Sequence, residues 1–297
     1  MPAKKTPPET LSKRPLIFDG AMGTELQVRG LLENPAQLNL THPEAILEIH
    51  NQYLAAGADV ITANTFGAYS HKFENYQDII NAAMEIGRKA LKGHKNKLLA
   101  LDLGPTGLML EPYGDTTPHE ANTIFMDTIK TATAHKPDLV LIETMMDLTE
   151  LEEAVSAASL FNLPVFATMT FDKNGRTMMG ATIDEMVDLL ESWKVEALGI
   201  NCGFGPDAYT ALATRLRKLT TLPIIVQPNA GIPKTPPPNP DGTIPQAIYD
   251  LPPEEFARTV ADMNVDIVGG CCGTTPAHIK ALADRHSKDN VTPSQTL

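Results

Sequence analysis

The chain has 297 residues, 42% of them hydrophobic, and 24 basic against 36 acidic side chains give it a formal net charge of −12. That balance speaks against nucleic acid or an anionic membrane as a partner, since both need clustered Lys and Arg, and no apolar run approaches the roughly 20 residues of a membrane span. Three cysteines, two of them adjacent, make a poor disulfide framework, so the chain reads as cytoplasmic with reduced thiols.

The opening stretch "MPAKKTPPETLSKRP" is basic but has no apolar segment behind it, so it reads as a loose tail over residues 1–14 rather than a signal peptide. Eight short, nearly continuous apolar runs follow, and each predicts a strand buried on both faces. They are "PLIFDG" near 15–20, "DVITANTF" at 59–66, "KLLALDLG" at 97–104, "DLVLIET" at 138–144, "PVFATMTF" at 164–171, "ALGINCG" at 197–203, "PIIVQPNAG" at 223–231 and "VDIVGGCCG" at 265–273. Between most of them lie stretches with helical spacing, such as "PEAILEIHNQYLAAG", "TELEEAVSAASLFN", "TIDEMVDLLESWKV" and "PDAYTALATRLRKL". Eight strand–helix units predict a single-domain α/β protein, a closed (β/α)8 TIM barrel over residues 15–285, with an open doubly wound sheet as the alternative. One connection breaks the pattern: residues 232–253, "IPKTPPPNPDGTIPQAIYDLPP", are too rich in proline for a helix and read as a lid or binding loop. A second loose tail is expected over 286–297.

In such a barrel the chemistry sits where the strands end. The runs end in Asp19-Gly20, Asn64-Thr65, Asp102, Glu143-Thr144, Asn201-Cys202, Asn229 and Cys271-Cys272. Strands six and eight are alternate strands, so Cys202 and the Cys271–Cys272 pair can converge in one layer of the barrel. Side chains alternate along a strand, so both members of the pair face one point only if the backbone bends; Gly269, Gly270 and Gly273 offer that freedom. Three converging thiolates make a metal site, and zinc is the usual ion for tetrahedral sulfur ligation. Three protein ligands leave one position open, the mark of a reactive site. Small buried core cysteines are the alternative. An open position on a zinc thiolate centre suits a thiol substrate, whose proton coordination would remove. Thr275-Pro276 starts the last helix and aims its positive end at the site.

The segments "DGAMGTELQVRG", "GADVITANTFGA", "LDLGPTG", "ALGINCG", "QPNAG" and "VGGCCGTTPAHI" closely resemble the homocysteine S-methyltransferase family. Within it, the nearest likeness is the homocysteine-binding barrel of cobalamin-dependent methionine synthase. The resemblance runs from about residue 15 to 285. It implies a (β/α)8 barrel, a zinc ion held by Cys202, Cys271 and Cys272, and the sulfur of homocysteine in the fourth position. It also implies that Asp19 and Glu143 bind the substrate's amino group, in keeping with the need of an ammonium group for buried anions. The substrate carboxylate would need donors, which backbone N–H groups around Gly20, Ala21 and Gly23 could supply. Asn64 and Asn201, with Asn229, either touch substrate or brace rim loops, whereas Trp193, Met145 and Met146 read as packing.

No folate or corrinoid module, corrinoid-ligand motif or betaine-type C-terminal segment occurs within the 297 residues, and aromatic residues make up only 5%. The expected donor is therefore a methylated corrinoid on a separate protein, with S-methylmethionine or S-adenosylmethionine as the alternative. A zinc- and thiol-binding module without turnover of its own, or another small thiol as acceptor, are the competing readings.

Overall fold

The computed structural model describes residues 14–238 and 246–288. Residues 239–245 of the proline-rich connection, and nearly all of the two expected tails, lie outside them. The eight apolar runs form eight strands: β1 (Leu16–Ile17), β2 (Val60–Thr62), β3 (Leu98–Leu103), β4 (Leu139–Met145), β5 (Val165–Met169), β6 (Ala197–Asn201), β7 (Ile224–Gln227) and β8 (Ile267–Val268). All pair in parallel, in the order β1-β8-β7-β6-β5-β4-β3-β2. A parallel bridge between Phe18 and Val60 joins the first strand to the second, and the N–H of Asp19 donates to the Val60 carbonyl at 3.0 Å. The sheet thereby closes, and the fold is the (β/α)8 barrel the alternation predicts.

The described helices are α1 (Gly23–Val28), α2 (Leu38–Thr41), α3 (Pro43–Ala56), α4 (Tyr76–Ala90), α5 (Pro118–Thr133), α6 (Leu148–Ser159), α7 (Ile183–Trp193), α8 (Pro206–Leu219), α9 (Pro253–Ala261) and α10 (Pro276–Lys288). Their ends carry local signals. Thr117 with Glu120 and Thr182 with Glu185 form capping boxes at the starts of α5 and α7, and Asp147 caps α6. Helix α3 stops at Gly57, whose φ of 109° is open to glycine at little cost. The last helix runs to Lys288, past the boundary expected at residue 285.

Two apolar clusters follow from the two faces of the strands. The outer one packs the sheet against the helices. The inner one fills the barrel with Leu16, Phe18, Val60, Ala100, Leu139, Leu141, Phe166, Ala197, Ile225 and Ile267, and the rings of Phe18 and Phe166 meet at 6.2 Å. This plug makes the barrel a packed core rather than a pore. Moving two residues along each strand keeps the side chain on the inner face. Above Val60, Ala100, Leu141, Phe166 and Ile225 therefore come Thr62, Asp102, Glu143, Thr168 and Gln227, a polar layer resting on the apolar plug.

Candidate active site and metal centre

All three cysteines lie just beyond their strands, at the mouth of the barrel. Cys202 follows β6 with φ 62°, a left-handed backbone that swings its side chain out of the strand's alternation. Its N–H donates to the Gln227 carbonyl at 3.0 Å, and its carbonyl accepts from the Tyr209 hydroxyl. Beyond β8, the Cys271 N–H donates to the Pro228 carbonyl and the Ala230 N–H donates to the Cys272 carbonyl, both at 2.9 Å, so the β7 end holds this turn in place. Thr274 Oγ1 closes the turn onto the Cys271 carbonyl at 2.7 Å.

The expected role of the glycines needs refining. Only Gly273 has a positive φ, +78°; Gly269 and Gly270 serve close packing, since a Cβ would stand 2.8 Å from Phe18 Cβ at Gly269 and 2.5 Å from Thr274 Oγ1 at Gly270. The result is that the Sγ atoms of Cys202, Cys271 and Cys272 all lie within 4.8 Å of one another. Cys271 and Cys272 are 4.0 Å apart and unbridged.

The electrostatics of this cluster ask for a cation. Hydrogen bonds from Cys202 and Cys271 push the Cys272 thiol down to about 3. Cys271 is pushed well up by sharing its hydrogen bonds with Cys202 and Cys272, and by burial. Cys202 rises to about 11: its hydrogen bond with Cys271 favours the thiolate but is outweighed by the one with Cys272 and by burial. The trio thus holds one negative charge readily and resists the second and third. Two unit charges 4 Å apart repel by about 4 kcal/mol at an effective dielectric of 20, so a fully deprotonated trio needs a compensating metal. Three soft sulfur donors with partial access from the mouth fit zinc. Asn229, 2% exposed, flanks the Cys272 turn, and its Oδ1 is buried without a hydrogen-bond partner.

Below the sulfurs sit three carboxyl groups. Asp19, 4% exposed, accepts from the Thr62 N–H and from Thr62 Oγ1, both at 2.8 Å. Burial pushes its pKa up to about 7 in spite of these bonds. Glu143 is pushed up to about 8 by burial, by the Cys202 sulfur and by Asp19. Asp102 is raised well above the usual carboxylate range by burial, then by Glu143 and Asp19, and its Oδ1 has no hydrogen-bond partner. Burial and mutual repulsion disfavour ionisation of these acids, and a cation placed among them would favour the charged forms.

Asn201 joins the two halves of the site. It is fully buried, and its Oδ1 accepts from the Thr144 N–H and Thr168 Oγ1, both at 2.8 Å. Its Nδ2 donates to Glu143 Oε2 at 3.1 Å and to Thr144 Oγ1 at 2.8 Å, and lies 4.0 Å from Cys271 Sγ. Asn64 lies elsewhere: its Nδ2 donates to the Pro35 carbonyl at 2.7 Å and to Asn39 Oδ1 at 3.2 Å, which braces the β1–α2 segment. Among the candidate anion donors, the Ala21 N–H is already bonded to Thr274 Oγ1 at 3.1 Å. Gly20 is packed so tightly that a Cβ would fall 2.7 Å from Thr274 Oγ1 and 2.8 Å from the Tyr53 hydroxyl. Gly23 opens α1.

Sequence reasoning missed Tyr249. The side chain of this residue of the proline-rich connection lies over Gly273, next to Cys272, and burial together with the nearby sulfurs pushes its hydroxyl pKa up. No periodic signal marks it, because it reaches the site from an irregular loop.

Comparison with known proteins bears on the same residues. A family model described as Homocysteine S-methyltransferase matches residues 16–286. The chain is 31% identical to methionine synthase of Mycobacterium leprae (strain TN) over 93% of its own length. It is 30% identical to methionine synthase of Mycobacterium tuberculosis (strain ATCC 25618 / H37Rv), again over 93%. It spans about a quarter of the length of these curated relatives, 24% and 25%. Among solved structures, the apo form of the homocysteine methyltransferase MmuM from Escherichia coli superposes with a TM-score of 0.72 at 25% identity, covering 93% of this chain and 98% of that one.

Proposed function

The chain belongs to the homocysteine S-methyltransferase family, and from that premise we propose that it methylates homocysteine to methionine at the cysteine centre, with zinc as the resident metal. The observation that carries this reading is the juxtaposition of three sulfurs within 4.8 Å with the half-buried Glu143 carboxyl, which Asn201 links to Cys271. Zinc, when bound to Cys202, Cys271 and Cys272, supplies a Lewis acid that draws the proton from a thiol of ordinary pKa, about 8.5.

The chain's own groups do the rest. Asp19 and Glu143 receive the substrate ammonium group. Each must be ionised to do so, and with pKa values of about 7 and 8 each exchanges a proton for that cation near neutral pH. Binding is thus coupled to proton release. Asn201 Nδ2 holds Glu143 Oε2 in position while the Asn201 carbonyl is anchored on Thr144 and Thr168. The substrate is thereby tethered at its amino end with its sulfur turned to the cysteines. The plug beneath closes the barrel floor, so the methyl donor approaches from the mouth. A new S–CH3 bond forms on the substrate sulfur as the bond between methyl and donor breaks, which requires in-line delivery.

As donor we favour a methylated corrinoid presented by a separate protein, on the strength of the sequence likeness to the methionine synthase barrel. A second reading is a free sulfonium donor, S-methylmethionine or S-adenosylmethionine, which needs no partner protein; the E. coli homocysteine methyltransferase, a chain of similar extent, matches nearly end to end. Among the described residues no helix is long and apolar enough to cross a membrane. On the separate ground of its three unbridged cysteines we place the reaction in the reducing cytoplasm. The test is methionine formation by zinc-loaded protein with methylcobalamin, a methylated corrinoid protein, S-methylmethionine and S-adenosylmethionine in parallel. Turnover with a methylated corrinoid supports the first reading, turnover with the sulfonium donors alone supports the second, and tight homocysteine binding with no turnover on any donor leaves a binding module.

A further inference from the structure

Strand β4 carries one residue more than its neighbour needs. Ile142 pairs with Ala167 of β5 and Met145 with Met169, so three steps along β4 match two along β5, and the irregularity falls at Glu143 and Thr144. Burial agrees with this. Ile142 and Met145 both belong to the outer apolar cluster, although a regular strand places residues three apart on opposite faces. The extra residue makes a β-bulge, which bends a strand and re-aims its side chains. Thr144 absorbs the irregularity with φ 62°, a left-handed backbone that a β-branched residue rarely adopts.

The bulge brings two successive side chains onto one partner. Asn201 Nδ2 donates to Glu143 Oε2 at 3.1 Å and to Thr144 Oγ1 at 2.8 Å, whereas regular alternation would turn the second side chain away from the barrel interior. The Thr144 N–H donates to Asn201 Oδ1 at 2.8 Å, and Thr168 Oγ1 donates to the same oxygen at 2.8 Å. Two donors at Oδ1 and two acceptors at Nδ2 fix which end of this buried amide is which. A flipped amide would set its oxygen against Glu143 and leave the Thr144 N–H without an acceptor. Strained backbone persists only where its surroundings hold it, and it collects at functional sites. Thr144 is only half-buried, so filling the core does not account for it.

We propose that Thr144 is a positioning residue for the substrate's ammonium group: its hydroxyl holds one N–H of Asn201 Nδ2, so that the other is directed at Glu143 Oε2 and keeps that carboxyl turned into the mouth. The inference rests on the reading of Glu143 as a ligand of the ammonium group. The hydroxyl is the part of this clamp that a side-chain substitution can remove, since the contact at Oδ1 belongs to the Thr144 backbone.

The experiment is calorimetric titration of zinc-loaded protein with homocysteine and with γ-mercaptobutyrate, the same thiol acid without its amino group. Thr144→Val keeps the branched shape and lacks the hydroxyl. Thr144→Gly also lacks it, takes a left-handed backbone at little cost, and serves if Thr144→Val does not fold. In both, homocysteine binds about three- to tenfold more weakly, the scale of one lost hydrogen bond between neutral groups, while the affinity for γ-mercaptobutyrate stays within about twofold. Thr144→Ser, which keeps the hydroxyl, retains both affinities. Unchanged homocysteine affinity in Thr144→Val and Thr144→Gly, equal weakening of both ligands, or Thr144→Ser as weak as Thr144→Val overturns the proposal. Wild-type protein that does not prefer homocysteine to γ-mercaptobutyrate overturns the ammonium subsite itself, and the proposal with it, so the two failures are told apart.

Discussion

Replacing Glu143 by Gln is the sharpest probe of the substrate subsite. Asn201 Nδ2 donates to Glu143 Oε2 at 3.1 Å, and the carbonyl oxygen of a glutamine can accept the same bond, so the Asn201 network and the cysteine turn are retained. What disappears is the negative charge. Loss of one charge-assisted contact to an ammonium group costs about 1.5–3 kcal/mol, or roughly ten- to a hundredfold in affinity. Part of that is offset in the wild type. With Glu143 pushed up to about 8, ionising it at pH 7 consumes up to about 1.4 kcal/mol, one pKa unit; water entering the mouth and a cation on the Cys202 sulfur both reduce this figure. The expected weakening at pH 7 is therefore nearer tenfold, and it widens towards pH 8 as the wild-type carboxyl ionises on its own. Calorimetric titration of zinc-loaded protein with homocysteine at pH 7 and 8 reads both numbers, and buffers of different ionisation enthalpy report fewer protons released by the variant. Equal affinities at both pH values, with zinc content unchanged, would refute the ammonium subsite and leave Glu143 a structural partner of Asn201.

Two further outcomes follow from the geometry. A Cβ at Gly270 would stand 2.5 Å from the buried Thr274 side chain, whose Oγ1 closes the cysteine turn, so Gly270→Ala should lower zinc content well below one per chain in metal analysis; full retention would contradict the packing role. His50 is fully buried with neither ring nitrogen bonded, and burial pushes its pKa from the ordinary 6.5 to about 4. The unfolded chain therefore binds the extra proton first, and stability contributed by neutral His50 is lost as pH falls from about 6.5 to 4, by roughly 3 kcal/mol. Urea denaturation across that range should show this loss in the wild type and much less of it in His50→Leu.

Much of this architecture was legible in the residues. Parallel strands buried on both faces must be continuous apolar runs, which is why all eight could be read directly, and a strand's last residues must face the barrel mouth, which is why Asp19, Glu143 and the cysteines could be grouped. What could not be read depends on contacts between distant segments. Asn64 and Asn201 occupy equivalent strand ends, yet one turns to Pro35 and Asn39 while the other links Glu143 to Cys271. The Ala21 amide is taken by Thr274, 253 positions away. Gly269 and Gly270 are glycines for want of space rather than for a left-handed turn. Tyr249 lies over Gly273 on a proline-rich loop whose ends are held by Lys234, Asp250 and His278, and nothing in the local sequence encodes that.

The central claim is that three protein sulfurs hold zinc and leave a place for the sulfur of homocysteine. X-ray absorption at the zinc edge, on one zinc-loaded preparation before and after homocysteine is added, tests it most directly. Three sulfurs at about 2.3 Å in the free protein, becoming four with homocysteine, is the predicted result. An unchanged sulfur count on addition of saturating homocysteine, or fewer than three sulfurs in the free protein, would contradict it.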